Sequence, residues 1–347
     1  MDKPIVVVGG GIAGLSVAGM LAGNGMRCII VEREASLGGH VRDWACMATD
    51  KCLRCFCCSA EDLVGYARSS DKIDVRTGWE LSSVSLSSGG PKQAVLKRIG
   101  SAEEKTEEAA ALVIATGFEP YNPGEKILLG HGRLDGVFTL AEMDSLLRRD
   151  MLSVFTRGRR GLRAAFFQCV GSRDANSGAN YCSQYCCKAA LRMALKLMHE
   201  SPDISVTLFY IDIQLAGKYA GALLKAAEDK GVRLQQGVPG EITNSEDLLE
   251  VIVESQGLNR KEPFDRVILS IGERPSPKQS VLDQLGLPAN EFGFVSSRDP
   301  LDNSRTAIPG VYVAGTCSGP KDIETTLEHA GQTAEVIMAD LRKGALR

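Results

Sequence analysis

Apolar runs of strand length recur along the chain, each closed by a glycine-rich or small-residue turn and followed by a helical pattern. Pro4-Ile-Val-Val-Val8 is the first, with no polar break, as in a parallel strand buried on both faces. Gly9-Gly10-Gly11-Ile-Ala-Gly14 follows, then an Ala/Leu/Met-rich helix to about Gly23 and a second strand, Cys28-Ile-Ile-Val31, ending in Glu32. Ala111-Leu-Val-Ile-Ala-Thr-Gly117 and Gly310-Val-Tyr-Val-Ala-Gly315 repeat the strand-and-turn pattern, the latter leading into a helix from about Glu324. Between them the pattern predicts strand 162–168, helix 181–199, strand 205–210, helix 219–230, strand 232–236, and strands at Val251–Glu254 and Asp265–Ile271. Such alternation predicts an α/β chain with two doubly wound, mainly parallel sheets. The first domain is discontinuous, 1–150 with 290–347, and the second is 151–289. The amphipathic stretch Leu140 to Arg149 reads as the hinge.

The first turn has the order strand, Gly-x-Gly-x-x-Gly, helix, strand, acid. Its glycines allow a tight turn, close approach of backbone to a pyrophosphate and close helix–strand packing, and Glu32 stands where an acid accepts hydrogen bonds from a ribose. The Ala115-Thr116-Gly117 and Gly315-Thr316 turns resemble the further FAD-contacting segments of flavoproteins with two dinucleotide domains, so FAD is the expected dinucleotide. One departure is that Thr316-Cys317 replaces the acid that commonly follows the second motif. The candidate cofactor contacts are Gly9, Gly11, Ala13, Gly14, Glu32, Arg33, Gly38, Gly39, His40, Ala115, Thr116, Gly117, Gly315, Thr316 and Ile323.

Cysteine is concentrated in two groups. Cys169, Cys182, Cys186 and Cys187 fall within nineteen residues, at the strand-to-helix turn where a nucleotide fold places its phosphate loop, yet no glycine fingerprint is present there. Four thiolates suit a cubane iron–sulfur cluster; a structural zinc ion would use the same residues, and buried thiols are the bland alternative. On a helix Cys182 and Cys186 would share a face, with Cys169 closing the site from the strand. The second group, Cys46, Cys52, Cys55, Cys57 and Cys58, is compatible with a second iron–sulfur cluster, a zinc site or a redox dithiol, and Lys51 and Arg54 favour thiolates there.

Length and charge narrow the classes. The 347 residues suffice for two ordinary domains, and a net charge of −3 with mixed signs indicates neither nucleic acid nor an anionic membrane as partner. No apolar run reaches spanning length, and the early hydrophobic stretch, broken by glycines and ended by Glu32-Arg33-Glu34, is not a signal peptide. Nine of eleven cysteines in two tight groups suit a reducing compartment, so the cytoplasm is the expected location.

Gln168-Cys-Val-Gly-Ser-Arg-Asp174, Tyr181-Cys-Ser-x-Tyr-Cys-Cys187, Phe209-Tyr-Ile-Asp-Ile213 with Gly217-Lys218, and Gly319-Pro-Lys-Asp-Ile323 together resemble the A subunit of heterodisulfide reductase, over nearly the whole chain. The resemblance implies a thioredoxin-reductase-like build and an FAD protein with a [4Fe–4S] cluster, working inside an electron-transfer complex. It makes Cys169, Cys182, Cys186 and Cys187 the cluster ligands and puts Gly9, Gly11, Gly14 and Glu32 on FAD. Lys218 and Lys321 are either near cofactor or ordinary solvated lysines. Methanogen-type A subunits are longer and carry ferredoxin modules, whereas this chain has no Cys-x2-Cys-x2-Cys-x3-Cys-Pro run. It is closer to the short A subunit of the heterodisulfide-reductase-like complexes of sulfur oxidisers. That implies other subunits of the complex as partners, a homodimer within it, and NAD as an electron acceptor. Two other readings are a free-standing flavin disulfide reductase using Cys52 and Cys55, and a cluster-bearing regulatory protein without turnover.

Overall fold

The computed structural model describes residues 3–87, 90–255, 258–276 and 285–344. The chain forms two compact units: Met1–Arg42 with Phe56–Glu119 and Pro275–Arg347, and Asp43–Cys55 with Pro120–Arg274. These limits fall earlier than the 150 and 290 expected from sequence. The stretch read as a hinge is a helix, Leu140–Arg148, whose Leu140 and Met143 are buried in the second unit's core.

The first unit opens with β1 (Ile5–Val8), α1 (Ile12–Gly23) and β2 (Cys28–Glu32), then α2 (Cys58–Ser69) and β3 (Ile73–Thr77). An antiparallel meander follows, β4 (Trp79–Ser87), β5 (Gly90–Arg98) and β6 (Glu104–Glu108), before β7 (Ala111–Ile114) and β8 (Phe118–Pro120).

The second unit contains β9 (Val137–Thr139), α3 (Leu140–Arg148), α4 (Leu152–Thr156), β10 (Arg163–Val170), α5 (Cys186–Glu200), β11 (Ser205–Tyr210), α6 (Ala220–Lys230) and β12 (Arg233–Gln236). It ends with β13 (Val238–Ser245), β14 (Leu248–Ser255), β15 (Leu258–Phe264), β16 (Arg266–Ile271) and β17 (Glu273–Pro275). The chain then returns to the first unit with β18 (Val311–Val313) and α7 (Ile323–Arg342).

Each unit is built on a five-stranded parallel sheet, in the order β18-β7-β1-β2-β3 in the first and β12-β11-β10-β16-β9 in the second. Side chains alternate across each sheet, so both faces need cover. In the first unit Ile5 and Val7 pack with Leu15 and Leu21 of α1 and Ile337 of α7, while Val6 and Val8 pack with Trp79, Leu81, Ala94 and Leu96 of the meander.

In the second unit Phe166 and Leu208 face Leu191 and Met193 of α5 on one side, and Phe167, Phe209 and Leu269 face Leu249, Val251 and Val253 on the other. Val251–Glu254 was expected as a further strand of the parallel sheet. It lies instead in the antiparallel meander β13-β14-β15, because Leu249, Val251 and Val253 alternate with partly exposed residues and bury one face only.

Candidate functional site

In the first unit the glycine turn divides by the use of each missing side chain. A Cβ on Gly9, which has φ +110°, would stand 2.2 Å from Ala115 O, and one on Gly14 would stand 2.0 Å from Gly9 O. Those two glycines let β1, β7 and α1 pack. A Cβ on Gly11 would meet only Gly39 Cα, at 3.9 Å. Gly11 is the N-cap of α1 and no side chain caps that end, so the first N–H groups of the helix face an open place, as an anion site requires.

Glu32 is buried, and its carboxylate accepts from Gly10 N–H at 2.7 Å and Glu34 N–H at 2.8 Å. These bonds tie the turn to the end of β2. Gly38 N–H donates to Gly10 O at 2.8 Å, and Gly39, at φ +56°, lies so near that a Cβ there would be 3.1 Å from Gly11 Cα.

The remaining predicted contacts converge on this place in part. Gly315 (φ +77°) has no room for a Cβ, which would be 2.5 Å from Ala13 Cβ, and Gly117 lies across from Thr316. Ile323 is the buried first residue of α7, behind Asp322, which accepts from Thr325 N–H at 2.9 Å. Arg33 and His40 are engaged with β8 instead, Arg33 with Glu119 at 3.3 Å and His40 Nε2 with Phe118 O at 3.0 Å. Lys321 closes the turn after Gly315, with Nζ 3.0 Å from Ser318 Oγ, and Lys218 lies over the Tyr219 ring.

Sequence reasoning missed His329. It is buried under the Gly315 turn, with Nδ1 accepting from Gly315 N–H at 3.1 Å and Nε2 3.0 Å from Asn303 O. Burial depresses its pKa to about 4, with the Lys321 charge adding to the effect. A lone histidine among the small residues of a C-terminal helix was the only signal available.

In the second unit Cys169 lies in β10 at φ +61°, and the register against β16 shifts between Phe167 and Val170. The strand thus breaks at the cysteine. The segment between β10 and α5 is pinned at several points: Ser183 Oγ accepts from Glu273 N–H at 2.9 Å, and the hydroxyls of Tyr181 and Tyr185 donate to Glu273 O and Ile271 O at 2.9 and 2.5 Å. The predicted helix from 181 begins only at Cys186, because Gln184 takes a left-handed conformation (φ +62°) and donates its N–H to Cys182 Sγ at 3.3 Å. Cys182 therefore faces Cys186 and Cys187 from a loop and not along one helix face.

The four sulfurs feel one another. Burial first, and then neighbouring Cys187 and Cys182, push the Cys169 thiol up to about 11. Burial also pushes Cys186 well up, with Cys169, Cys187 and Cys182 next in effect. Four crowded thiols whose charged forms repel are stable as thiolates only around a cation, and the uncapped N-terminus of fifteen-residue α5 adds a positive dipole end. Zinc at about 2.3 Å from each sulfur needs its ligands about 3.8 Å apart. Among the described residues no trio of these four brings its sulfurs within 4.8 Å of one another. Four thiolate donors are the set that a cubane takes, each thiolate binding a different iron, and also the set of a closed zinc site. A cleft of about 570 Å³ opens beside Cys169, lined by Gln168, Ser172, Arg173 and the exposed Ile127, Leu128 and Val238.

The second cysteine group is divided. Cys46, Cys52 and Cys55 belong to the Asp43–Cys55 segment of the second unit, while Cys57 and Cys58 stand at the head of α2 in the first. The sulfurs of Cys46 and Cys55 lie within 4.8 Å of each other. Cys52 Sγ is instead occupied by Arg54 N–H, at 3.3 Å.

A parallel sheet with an open glycine cradle, joined to a second parallel sheet, defines a flavoprotein oxidoreductase with two dinucleotide-binding-type domains. The chain belongs to the pyridine nucleotide-disulphide oxidoreductase family, whose model matches residues 3–334. Its curated relatives are A subunits of heterodisulfide reductases. It is 27% identical to the A subunit of the ferredoxin:CoB-CoM heterodisulfide reductase of Methanosarcina acetivorans, over 95% of this chain and 55% of that protein. It is 25% identical to the iron-sulfur A subunit of the CoB–CoM heterodisulfide reductase of Methanocaldococcus jannaschii, over 100% of this chain and 65% of that protein. The chain thus spans less than two thirds of the length of these relatives. In fold it is similar to the thioredoxin reductase of T. acidophilum, with a TM-score of 0.61, 18% identity and 97% of each chain covered. No described helix is long and apolar enough to cross a membrane.

Proposed function

We propose that this oxidoreductase is the electron-transfer subunit of a heterodisulfide-reductase-like complex. It holds FAD in the Gly9–Gly14 cradle and a [4Fe–4S] cluster on Cys169, Cys182, Cys186 and Cys187. Electrons pass between a sulfur- or disulfide-handling partner and a nicotinamide or protein carrier, with other subunits of the complex and a second copy of the chain as partners. The observation that carries this reading is the β10–α5 turn, where four mutually interacting cysteines stand in the place of a phosphate loop.

When bound, the flavin supplies exchange between two- and one-electron chemistry and the cubane supplies one-electron storage. The chain's own groups do the rest. The first N–H groups of α1 take the pyrophosphate, Glu32 takes the ribose while holding Gly10, and His329 fixes the Gly315 turn. Ser183, Tyr181 and Tyr185 hold the loop that carries Cys182, and the cleft beside Cys169 is the place where a partner gains access.

The test is anaerobic purification with iron, acid-labile sulfide and flavin quantified per chain. About four irons and four sulfides with one flavin is the expected result. Stoichiometric zinc at the four cysteines with no iron would overturn the cluster, and absence of flavin after reconstitution would overturn the cradle.

A further inference from the structure

Among the described residues, two buried side-chain polar atoms without a hydrogen-bond partner flank Cys169: Gln168 Oε1 and Ser172 Oγ. The two residues are only 5% and 1% exposed, so bulk water does not serve them. The electron-transfer function just proposed gives neither a task. A buried polar atom left without a partner is costly, and a chain that keeps two side by side keeps them for something that completes them.

The backbone sets both residues beside the four cysteines. Ser172 N–H donates to Cys169 O at 3.2 Å, across a turn in which Gly171 is left-handed (φ +74°). A Cβ on Gly272 would stand 3.0 Å from Ser172 Cβ and 3.0 Å from Ser183 Oγ, so over Gly272 the Ser172 side chain meets the residue that follows Cys182. Ser172 is thereby held to the chain at Cys169 on one side and at Cys182 on the other. Side chains alternate along a strand, so Gln168 shares a face of β10 with Phe166. That is the face covered by α5, which starts with Cys186 and Cys187. Gln168 Nε2 donates there to Ser270 Oγ at 3.0 Å, which leaves the other end of the amide unmet.

We infer that Ser172 and Gln168 donate hydrogen bonds to the sulfurs of the four-cysteine centre and hold its reduction potential above what four thiolates alone would give; the inference rests on the cluster reading. The Ser172 hydroxyl rotates about its C–O bond, so its proton turns to whichever acceptor is near. For Gln168 the charges choose the orientation. A carbonyl oxygen facing thiolates meets charge of its own sign. The two ends of the amide have the same shape, and exchanging them makes Ser270 O–H the donor to Oε1 and presents Nε2–H to the sulfurs. No bond is made or broken by these groups. Each donated proton offsets negative charge, and the centre carries most of that charge after it has accepted an electron, so the reduced form gains most.

The experiment uses the full chain, purified anaerobically, as parent, Ser172→Ala and Gln168→Leu. Iron, acid-labile sulfide and flavin are quantified, and the midpoint potential is followed through the paramagnetic signal of the reduced cluster. Both variants should keep iron and flavin at the parent's level and shift the midpoint to more negative potential. The apoproteins separate this role from a packing role. With no centre to receive its proton the Ser172 hydroxyl is an orphan, so apo Ser172→Ala should melt no lower than the apo parent. A variant that keeps full iron and the parent's midpoint overturns the inference for its residue, as it would if a buried water met that side chain. A shift to more positive potential, or an apo Ser172→Ala that melts well below the parent, overturns it as well. Stoichiometric zinc and no iron in the parent overturns the cluster reading and this inference together, whereas an iron-loaded parent with unshifted variants overturns this inference alone.

Discussion

At the scale of single residues, the informative glycine is the one whose missing Cβ would stand in empty space. Gly9, Gly11 and Gly14 belong to one fingerprint and look equivalent in sequence, yet the structure gives them opposite reasons. For Gly9 and Gly14 the reason is backbone packed at 2.0–2.2 Å from the added carbon, so any side chain must displace a strand or the start of α1. Gly14→Val is therefore expected to destabilise the protein by at least the roughly 1–3 kcal/mol of ordinary overpacking. Gly11→Val meets only Gly39 Cα at 3.9 Å and should leave apoprotein stability within about 0.5 kcal/mol of the parent while abolishing flavin binding. Thermal melts of both apoproteins, with flavin absorbance after reconstitution, check the pair. A Gly11→Val protein that binds flavin like the parent would show that nothing approaches that open place.

At the scale of elements, the order and type of most strands and helices were legible because buried parallel strands are continuous apolar runs. What the sequence hid is where α5 begins. Tyr181 to Tyr185 contains neither glycine nor proline, and nothing local says that Ser183 and Tyr185 will be claimed by the β16 end or that Gln184 will turn left-handed. The site gains by this, because Cys182 approaches from a loop held at three points. Cys→Ala at any of Cys169, Cys182, Cys186 or Cys187 is expected to abolish the iron–sulfur spectrum or leave it labile, with FAD retained; a full spectrum in Cys182→Ala would remove that ligand from the set.

His329 in α7 was equally hidden, since its role depends on Gly315 and Asn303, brought to it by the fold. Its unfolded value is 6.5 and its folded value about 4, so the unfolded chain takes up a proton first as pH falls. The stability held by neutral His329 is complete above about 6.5 and is lost as pH falls toward 4, by up to roughly 3 kcal/mol. His329→Gln, which cannot titrate, should flatten the pH dependence of the melting temperature in that window, and an unchanged slope would contradict the assignment.

At the scale of the whole molecule, the sequence pattern showed two parallel sheets and a first domain made from both ends of the chain. It did not show that Asp43–Cys55 would join the second unit, because Asp144 of α3 and Arg192 of α5, which hold Ala45 N–H and Leu53 O, lie 99 and 139 residues away from them. Nor did it separate the five-cysteine run into two surroundings. The second sheet is where a free-standing reductase would seat its nicotinamide nucleotide, at the C-terminal ends of β10 and β11. That place is already taken. A Cβ on Gly171 would stand 2.2 Å from the Tyr121 ring, which fills the turn, and Asp212, where an acid would meet a ribose, is paired with Arg173. Arg173 in turn lies near enough to Cys169 to favour its thiolate, against the rise that burial causes. The isolated chain should therefore show weak or no NADH- or NADPH-dependent reduction of small disulfides, with turnover rising when partner subunits are added. Steady-state assays of the pure, flavin-loaded chain against the reconstituted complex measure this directly. Rapid turnover by the chain alone, especially if lost on Cys52→Ser or Cys55→Ser, would establish the free-standing disulfide reductase in place of the complex-bound protein.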